Sequence, residues 1–261
     1  MQDHLQPFQT FVANAIVRVQ QDPDAVGLAA GGSWITDQLD AYSDLDLVLV
    51  TNSPISPDLA RMREYAAKLG SMIASFQGDH VGEPRLLITL YDAPLLHVDI
   101  KFITPDEFYQ RVENPVILWE RDGVLTSIIQ QSTAQYPPVD FQWIEDRFWV
   151  WVHYAALKIG RGEYFEAFDF FGFMRGVVFG PLLHLKNSGL PRGVRRAETT
   201  FGAAELAQLR RTVATPDREA LLASLWELVN LYEALRDTLA PATLQRNTTA
   251  QSAVTQYMKA L

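Results

Sequence analysis

Cysteine is absent from the 261 residues, which excludes disulfides and thiolate metal sites and leaves carboxylates and histidine as the strong ligands. Any metal held here is therefore expected to be hard, of the magnesium kind. Long hydrophobic runs are missing as well: the apolar stretches are broken by charge or glycine before the roughly 20 residues that span a bilayer. The opening MQDHLQPFQTF has neither a basic n-region nor an apolar h-region, so the expectation is a cytoplasmic protein with no membrane partner. Positive charge is scarce: 22 Lys and Arg stand against 31 Asp and Glu, a net charge of −9. That balance repels a polyanion and argues against long nucleic acid as substrate. The densest basic run, KNSGLPRGVRR from Lys186 to Arg196, reads as a solvated loop and helix start, with a docking surface for a protein or RNA acceptor as the alternative.

What the chain does have is core-forming material, with 48% hydrophobic residues and 20% charged ones, enough for one large domain or two small ones. Leu5, Phe8, Val12, Ile16 and Val19 recur at helical spacing before Asp22-Pro23-Asp24 stops the run. Val26 to Ala30 reads as a buried strand entering a Gly-Gly-Ser turn, and Asp44 to Thr51 as a central strand. Ser56 to Phe76 reads as a covering helix, with Pro57 at its first position. Pro84 to Tyr91 and Leu95 to Ile103 read as two strands joined in a hairpin. After Tyr136-Pro137-Pro138 the alternation gives way to helical periodicity. The fold class expected is α+β: a mixed sheet with covering helices over residues 1–138, then a helical bundle over 139–261. In the bundle, Trp143, Trp151, Tyr154 and Leu157 form one expected core stripe, and Leu221, Leu225, Leu228, Leu231 and Leu235 another.

Asp44 and Asp46 are two apart in a strand and so project to one side, while Leu45, Leu47 and Leu49 project to the other. Two carboxylates in one small space need a positive neighbour, and a divalent cation supplies it. Asp99 sits between apolar Val98 and Ile100, with His97 and Lys101 on its own face. If its strand lies beside Asp44 to Thr51, the three Asp residues form a hard oxygen cage suited to phosphoryl or nucleotidyl transfer. Gly31-Gly32-Ser33 provides a turn whose backbone N–H groups can approach phosphate oxygens.

This ordered set, GGS followed by DAYSDLDLVLV and later HVDIKFI, resembles the polymerase-beta nucleotidyltransferase superfamily, whose pattern is a Gly-Ser turn, an Asp-x-Asp about a dozen residues on and a third Asp on a later strand. The stretch from Phe148 to Leu185 resembles the helical domain of aminoglycoside 6-adenylyltransferases, mapping its motif onto Phe148, Trp149, Tyr154, Arg161, Glu163 and Arg175. Two departures stand out: Leu157 falls where that family has a Lys, with Lys158 one later, and Trp34 follows the Gly-Ser turn where Arg is usual.

The resemblance implies transfer of a nucleoside monophosphate, AMP from ATP or the equivalent from another nucleoside triphosphate, to a hydroxyl of a small acceptor with loss of pyrophosphate. Asp44, Asp46 and Asp99 are then the catalytic and metal-binding residues for magnesium, two ions in the family pattern, with Asp99 as third ligand or general base. Gly31, Gly32 and Ser33 hold the nucleotide, with Lys101 and Arg175 reaching its phosphates. For Lys101 the alternative is a neutralising partner of the Asp cluster, and for Arg175 and Lys158 an ordinary ion pair. The acceptor class implied is an antibiotic such as an aminoglycoside or lincosamide, linking the chain to antibiotic resistance, and the overall acidity suits a cationic one. Glu145, Asp146, Glu163, Glu166 and Asp169 are candidates for lining its pocket. Nucleotidylation of protein or RNA, and a non-catalytic, antitoxin-like nucleotide-binding protein, are the competing readings. The oligomeric state is left open.

Overall fold

The computed structural model describes residues 5–261, which divide into two compact units meeting at Pro137 and Pro138. The first is built on a mixed six-stranded sheet. Its elements run α1 (Gln6–Gln20), β1 (Ala25–Ala30), β2 (Leu45–Thr51), α2 (Leu59–Leu69), β3 (Met72–Gly78), β4 (Glu83–Tyr91), β5 (Leu96–Ile103), α3 (Pro105–Phe108), β6 (Val116–Glu120) and α4 (Val124–Gln131). The strand order is β3-β4-β5-β2-β1-β6, and β2 with β5 is the parallel pair; the other neighbours are antiparallel.

The two faces of this sheet differ. Leu45, Leu47, Leu49, Leu87, Tyr91, Val98, Ile100 and Phe102 turn to one face and are buried with Phe8, Val12 and Ala15 of α1 and Met62, Ala66 and Leu69 of α2. Among the described residues of the first unit, helices cover the other face toward β1 and β6, where Val26, Ala29, Val50 and Ile103 pack with Phe108, Leu125 and Ile128 of α3 and α4. Alternation at period two along β5 leaves His97 exposed and Asp99 and Lys101 half-buried on that second face.

The expected N-terminal helix, both early strands and the hairpin are present within a residue or so of their expected ends. The segment from Ser56 to Phe76 is not one helix. Asp58 is the N-cap, its carboxylate accepting the N–H groups of Ala60 and Arg61, so Pro57 precedes the helix rather than opening it. Gly70 ends α2, and the remainder extends as β3 against β4. A single apolar-polar pattern across a glycine had hidden a change of period from helix to strand.

The second unit comprises α5 (Phe141–Arg161), α6 (Tyr164–Met174), a π turn over Arg175–Phe179, α7 (Gly180–Lys186), α8 (Ala197–Thr200), α9 (Ala203–Arg211), α10 (Arg218–Leu239) and α11 (Thr248–Lys259). The Leu stripe of α10 is buried as expected, but the face of α5 turned to the core is Ile144, Phe148, Val152, Ala155 and Ile159. Trp143 and Tyr154 are both 38% exposed, while Trp151 is half-buried against the core and Leu157 half-buried, so the stripe expected for α5 lies at the rim of the core rather than within it. The continuous helical run Tyr164–Lys186 is long and apolar enough by composition to cross a membrane, against the expectation that no stretch would be. Phe171, Met174, Val178 and Leu182 of this run are fully buried in the bundle.

Glu145 was a candidate for the acceptor pocket and instead is sealed in this core, 1% exposed. Its carboxylate accepts from the Tyr232 hydroxyl at 2.5 Å, the Asn247 N–H at 3.0 Å and the Trp149 indole at 3.3 Å, and Arg236 lies 3.4 Å away. Burial pushes the pKa up, but the bonds from Tyr232 and Asn247 and the charge of Arg236 outweigh it and hold the group below its usual value. A carboxylate lowered in the folded state stabilises the fold above its unfolded pKa and stops doing so as the pH falls through the folded one. Glu145→Ala leaves Arg236 and Tyr232 buried without their partner, and urea unfolding at neutral pH is expected to show a loss of about 3–5 kcal/mol. Glu145→Gln is expected to lose less stability than the parent between neutral pH and the acid limb.

Candidate functional site

The site is set by strand register. Parallel pairing of β2 with β5 puts Asp46 directly opposite Asp99, as Leu45 is opposite Val98 and Leu47 opposite Ile100. Paired residues on neighbouring strands share a face about 4.8 Å apart, so both carboxylates stand on the open face of the sheet. Asp99 keeps 19% of its side chain exposed, and its Oδ1 is 3.0 Å from Nε2 of His97, which lies on the same face and is 48% exposed. Sequence spacing offered no role for His97. Here it contacts one candidate carboxylate directly.

The glycine turn adjoins the same position from the other side. The Gly31 N–H donates to the Asp46 carbonyl at 2.8 Å, which carries the row of paired residues from β2 onto the end of β1. Gly32 has φ +56°, and a Cβ built on it would lie 1.9 Å from Oδ2 of Asp46. A side chain there would meet both a left-handed backbone and a carboxylate oxygen, so the position requires glycine. Ser33 follows in the short 3₁₀ turn Gly32–Trp34, half-buried, its carbonyl accepting the Gln38 N–H at 3.0 Å.

One residue at the turn escaped the sequence reading. Glu113, from the connection between α3 and β6, brings Oε1 to 3.4 Å from the Gly32 nitrogen and accepts its N–H. No motif or periodicity marks it; only the fold returns it to the turn.

Asp44 lies one residue ahead of β2, half-buried. Among the described residues no group of three or more His, Asp or Glu side chains stands together as a metal cage. The strands thus deliver a carboxylate pair, with Asp44 beside it in sequence, rather than a closed shell of three. A pair of this chemistry fits magnesium, which keeps several waters and takes one or two carboxylates together with substrate phosphates.

Lys101 shares the face of Asp99, but its Nζ is 2.7 Å from Oε2 of Glu83. Arg85 bonds both oxygens of Glu83, at 2.7 and 2.8 Å, and reaches Glu107 at 3.2 Å. Burial raises the Glu83 pKa, yet the bonds from Arg85 and Lys101 bring it down to about 2, so the network stays ionised at any working pH. The two cations beside the carboxylate pair are thereby neutralised by Glu83 and Glu107.

Arg175 belongs to the helical unit, within the π turn. Its Nη1 donates to the Thr212 carbonyl at 2.7 Å rather than to a carboxylate, so it is not the ordinary ion pair expected, and burial lowers its pKa. Lys158 does form ion pairs, with Glu163 at 2.8 Å and Glu166 at 2.9 Å, and Tyr154 donates to Glu166. Glu163 and Glu166 are thus engaged by Lys158 and Tyr154. A cavity of about 760 Å³ lies elsewhere in the first unit, lined by Arg18, Asp22, Asp24, Arg61, Tyr65 and Lys68, and includes none of the candidate residues. The candidate residues lie on the sheet face instead.

Gly32→Ala is expected to cost about 1–3 kcal/mol in thermal or urea unfolding, from the positive φ and the clash with Asp46. Gly82, also at positive φ but with nothing within 4 Å of its would-be Cβ, serves as the control. No family model matches the sequence, and no curated protein does. Among solved structures, the chain is similar to an aminoglycoside 6-adenyltransferase from Bacillus subtilis, at 14% identity over 95% of this chain and 96% of that one, with a TM-score of 0.40. It is also similar to a nucleotidyltransferase-like protein from Exiguobacterium sibiricum, at 13% identity over 90% of this chain and 75% of that one, with a TM-score of 0.35.

Proposed function

We propose that the chain is a magnesium-dependent nucleotidyltransferase, which moves a nucleoside monophosphate, AMP from ATP in the first instance, onto a hydroxyl of a small acceptor. The observation that carries this reading is the row Gly31–Asp46–Asp99: a glycine turn, then two carboxylates in register on one open face. The turn accepts an anionic oxygen already, since the Gly32 N–H is taken by Glu113. A phosphate oxygen makes the same demand with more charge.

In this reading Gly31, Gly32 and Ser33 hold the outer phosphates through backbone N–H groups and the Ser33 hydroxyl. Asp46 and Asp99, with Asp44 alongside, would hold magnesium, which supplies charge neutralisation for the triphosphate and its leaving group. Asp99 accepts the proton of the attacking hydroxyl as the new oxygen–phosphorus bond forms and the bond to pyrophosphate breaks. His97 holds one oxygen of Asp99 and so fixes the direction in which the carboxylate faces. Lys101 acts in the field of the site rather than as a ligand, because Glu83 holds it.

Pyrophosphate release from ATP with magnesium, over a panel of hydroxyl-bearing acceptors that includes aminoglycosides, tests the reading. Asp46→Asn and Asp99→Asn are each expected to lower turnover by about 100-fold or more while leaving the fold intact. Turnover in Asp46→Asn equal to that of the parent overturns the assignment. Label that accumulates on protein or RNA moves the acceptor out of the small-molecule class. Nucleotide binding without pyrophosphate release from any acceptor makes the chain a binding protein.

A further inference from the structure

The row that contains the carboxylates does not end at Asp99. Ile88 of β4 pairs with Asp99, and Phe76 of β3 pairs with Ile88, so one line crosses the open face as Gly31–Asp46–Asp99–Ile88–Phe76. The neighbouring row runs His97–Leu90–Ala74. On this face Ile88 is half-buried, while Leu90 is 36% and Phe76 51% exposed. The opposite face of the same strands holds Leu87 and Tyr91 in the core, so these outward apolar residues are not needed to build it. The phosphate turn, the carboxylates and an apolar strip therefore follow one another in a fixed order, each about one strand spacing from the next.

We infer that Ile88, Leu90 and Phe76 form the platform for the acceptor, and that the acceptor is an amphiphile carrying an apolar ring or chain next to its reacting hydroxyl. The inference rests on the nucleotidyl transfer reading and names its substrate class. Its first ground is stereochemical. Attacking and leaving oxygens lie in line across the phosphorus, so a pyrophosphate held at Gly31 to Ser33 requires the hydroxyl to arrive from the opposite side, which is the side of Ile88 and Phe76. Its second ground is the charge of the strip. The residues in these rows beyond Asp99 are apolar or uncharged, and the cations beside them, Lys101 and Arg85, are neutralised by Glu83 and Glu107. A polycationic amino-sugar gains nothing from such a surface, whereas an apolar ring gains by covering Phe76 and Leu90.

The test uses the whole chain with ¹³C-labelled Ile and Leu methyl groups, titrated separately with 2-phenylethanol and with the amino-sugar kanamycin. Nucleotide affinity is measured on the same samples with a nonhydrolysable ATP analogue and magnesium. The expected result is that 2-phenylethanol shifts the Ile88 and Leu90 methyl signals and binds there more tightly than the amino-sugar. Phe76→Ser is expected to weaken that binding about ten-fold, and Phe76→Leu much less, with the affinity for the ATP analogue unchanged. Amino-sugar binding at these methyl groups as tight or tighter, or no shift with either probe, overturns the inference. So does an equal loss of ATP-analogue affinity in Phe76→Ser, which gives the strip to the base of the nucleotide. A parent protein that binds no nucleotide overturns the transfer reading instead, and the methyl shifts still decide whether the strip takes an apolar alcohol.

Discussion

The parallel pairing of β2 with β5 is the constraint on which the remainder of the site depends. It opposes Asp46 to Asp99, two like charges that repel unless something positive lies between or near them. The pairing survives because it also opposes Leu45 to Val98, Leu47 to Ile100 and Leu49 to Phe102, all of which are buried on the far face. Each fully buried side chain of that kind contributes roughly 1.5–3 kcal/mol. A slip of one residue would exchange the faces and put both carboxylates into the core, so hydrophobic burial behind the sheet fixes the position of the acids in front of it. Stability and chemistry share one register.

The sheet is asymmetric for the same reason. α1 and α2 pack on one face, while α3 and α4 pack on the other toward β1 and β6. Along β4 from Leu87 to Tyr91 and along β5 from Leu96 to Phe102 the burial alternates, with an apolar set turned to the helices and a mixed set turned outward. Within the outward set the polar residues gather on β5 and the apolar ones on β4 and β3. That division follows from the order of the strands, which places the hairpin between the carboxylates and the edge.

Much of this was legible in the residues. Period-two alternation gives the strands, and an Asp at positions where one face is otherwise apolar gives the pair; β2 and β5 are indeed neighbours, which spacing by itself could not require. What was not legible has physical causes. β3 was absorbed into a helix because Met72, Ala74 and Phe76 continue an apolar pattern across Gly70, and only Gly70 and the partner strand β4 impose the change. Aromatic rings look apolar in a pattern, yet exposed Trp143 and Phe173 pack ring against ring with Trp151 at the rim of the core of the second unit rather than inside it. Glu113 comes from a segment without pattern, and its approach to Gly32 exists only in three dimensions.

The acidic side chains divide by what surrounds them, and that division separates structure from chemistry better than their positions in the sequence do. Glu145 lies among donors from α5 and α10 and from the start of α11, and these draw its pKa down against the effect of burial. Glu83 is held by two cations in the same manner. In both cases the protein itself supplies the positive charge or the hydrogen bonds, so the carboxylate is a fastener and has nothing to offer a ligand. Asp46 and Asp99 are arranged differently, since the register opposes each to the other on one face, and His97 lies against Asp99. Lys101, on the face of Asp99, and Arg85 pair with Glu83 and Glu107. An in-register pair of like charges raises the demand for positive charge at that point of the sheet. In the proposed reading, a divalent ion arriving with a triphosphate would answer it.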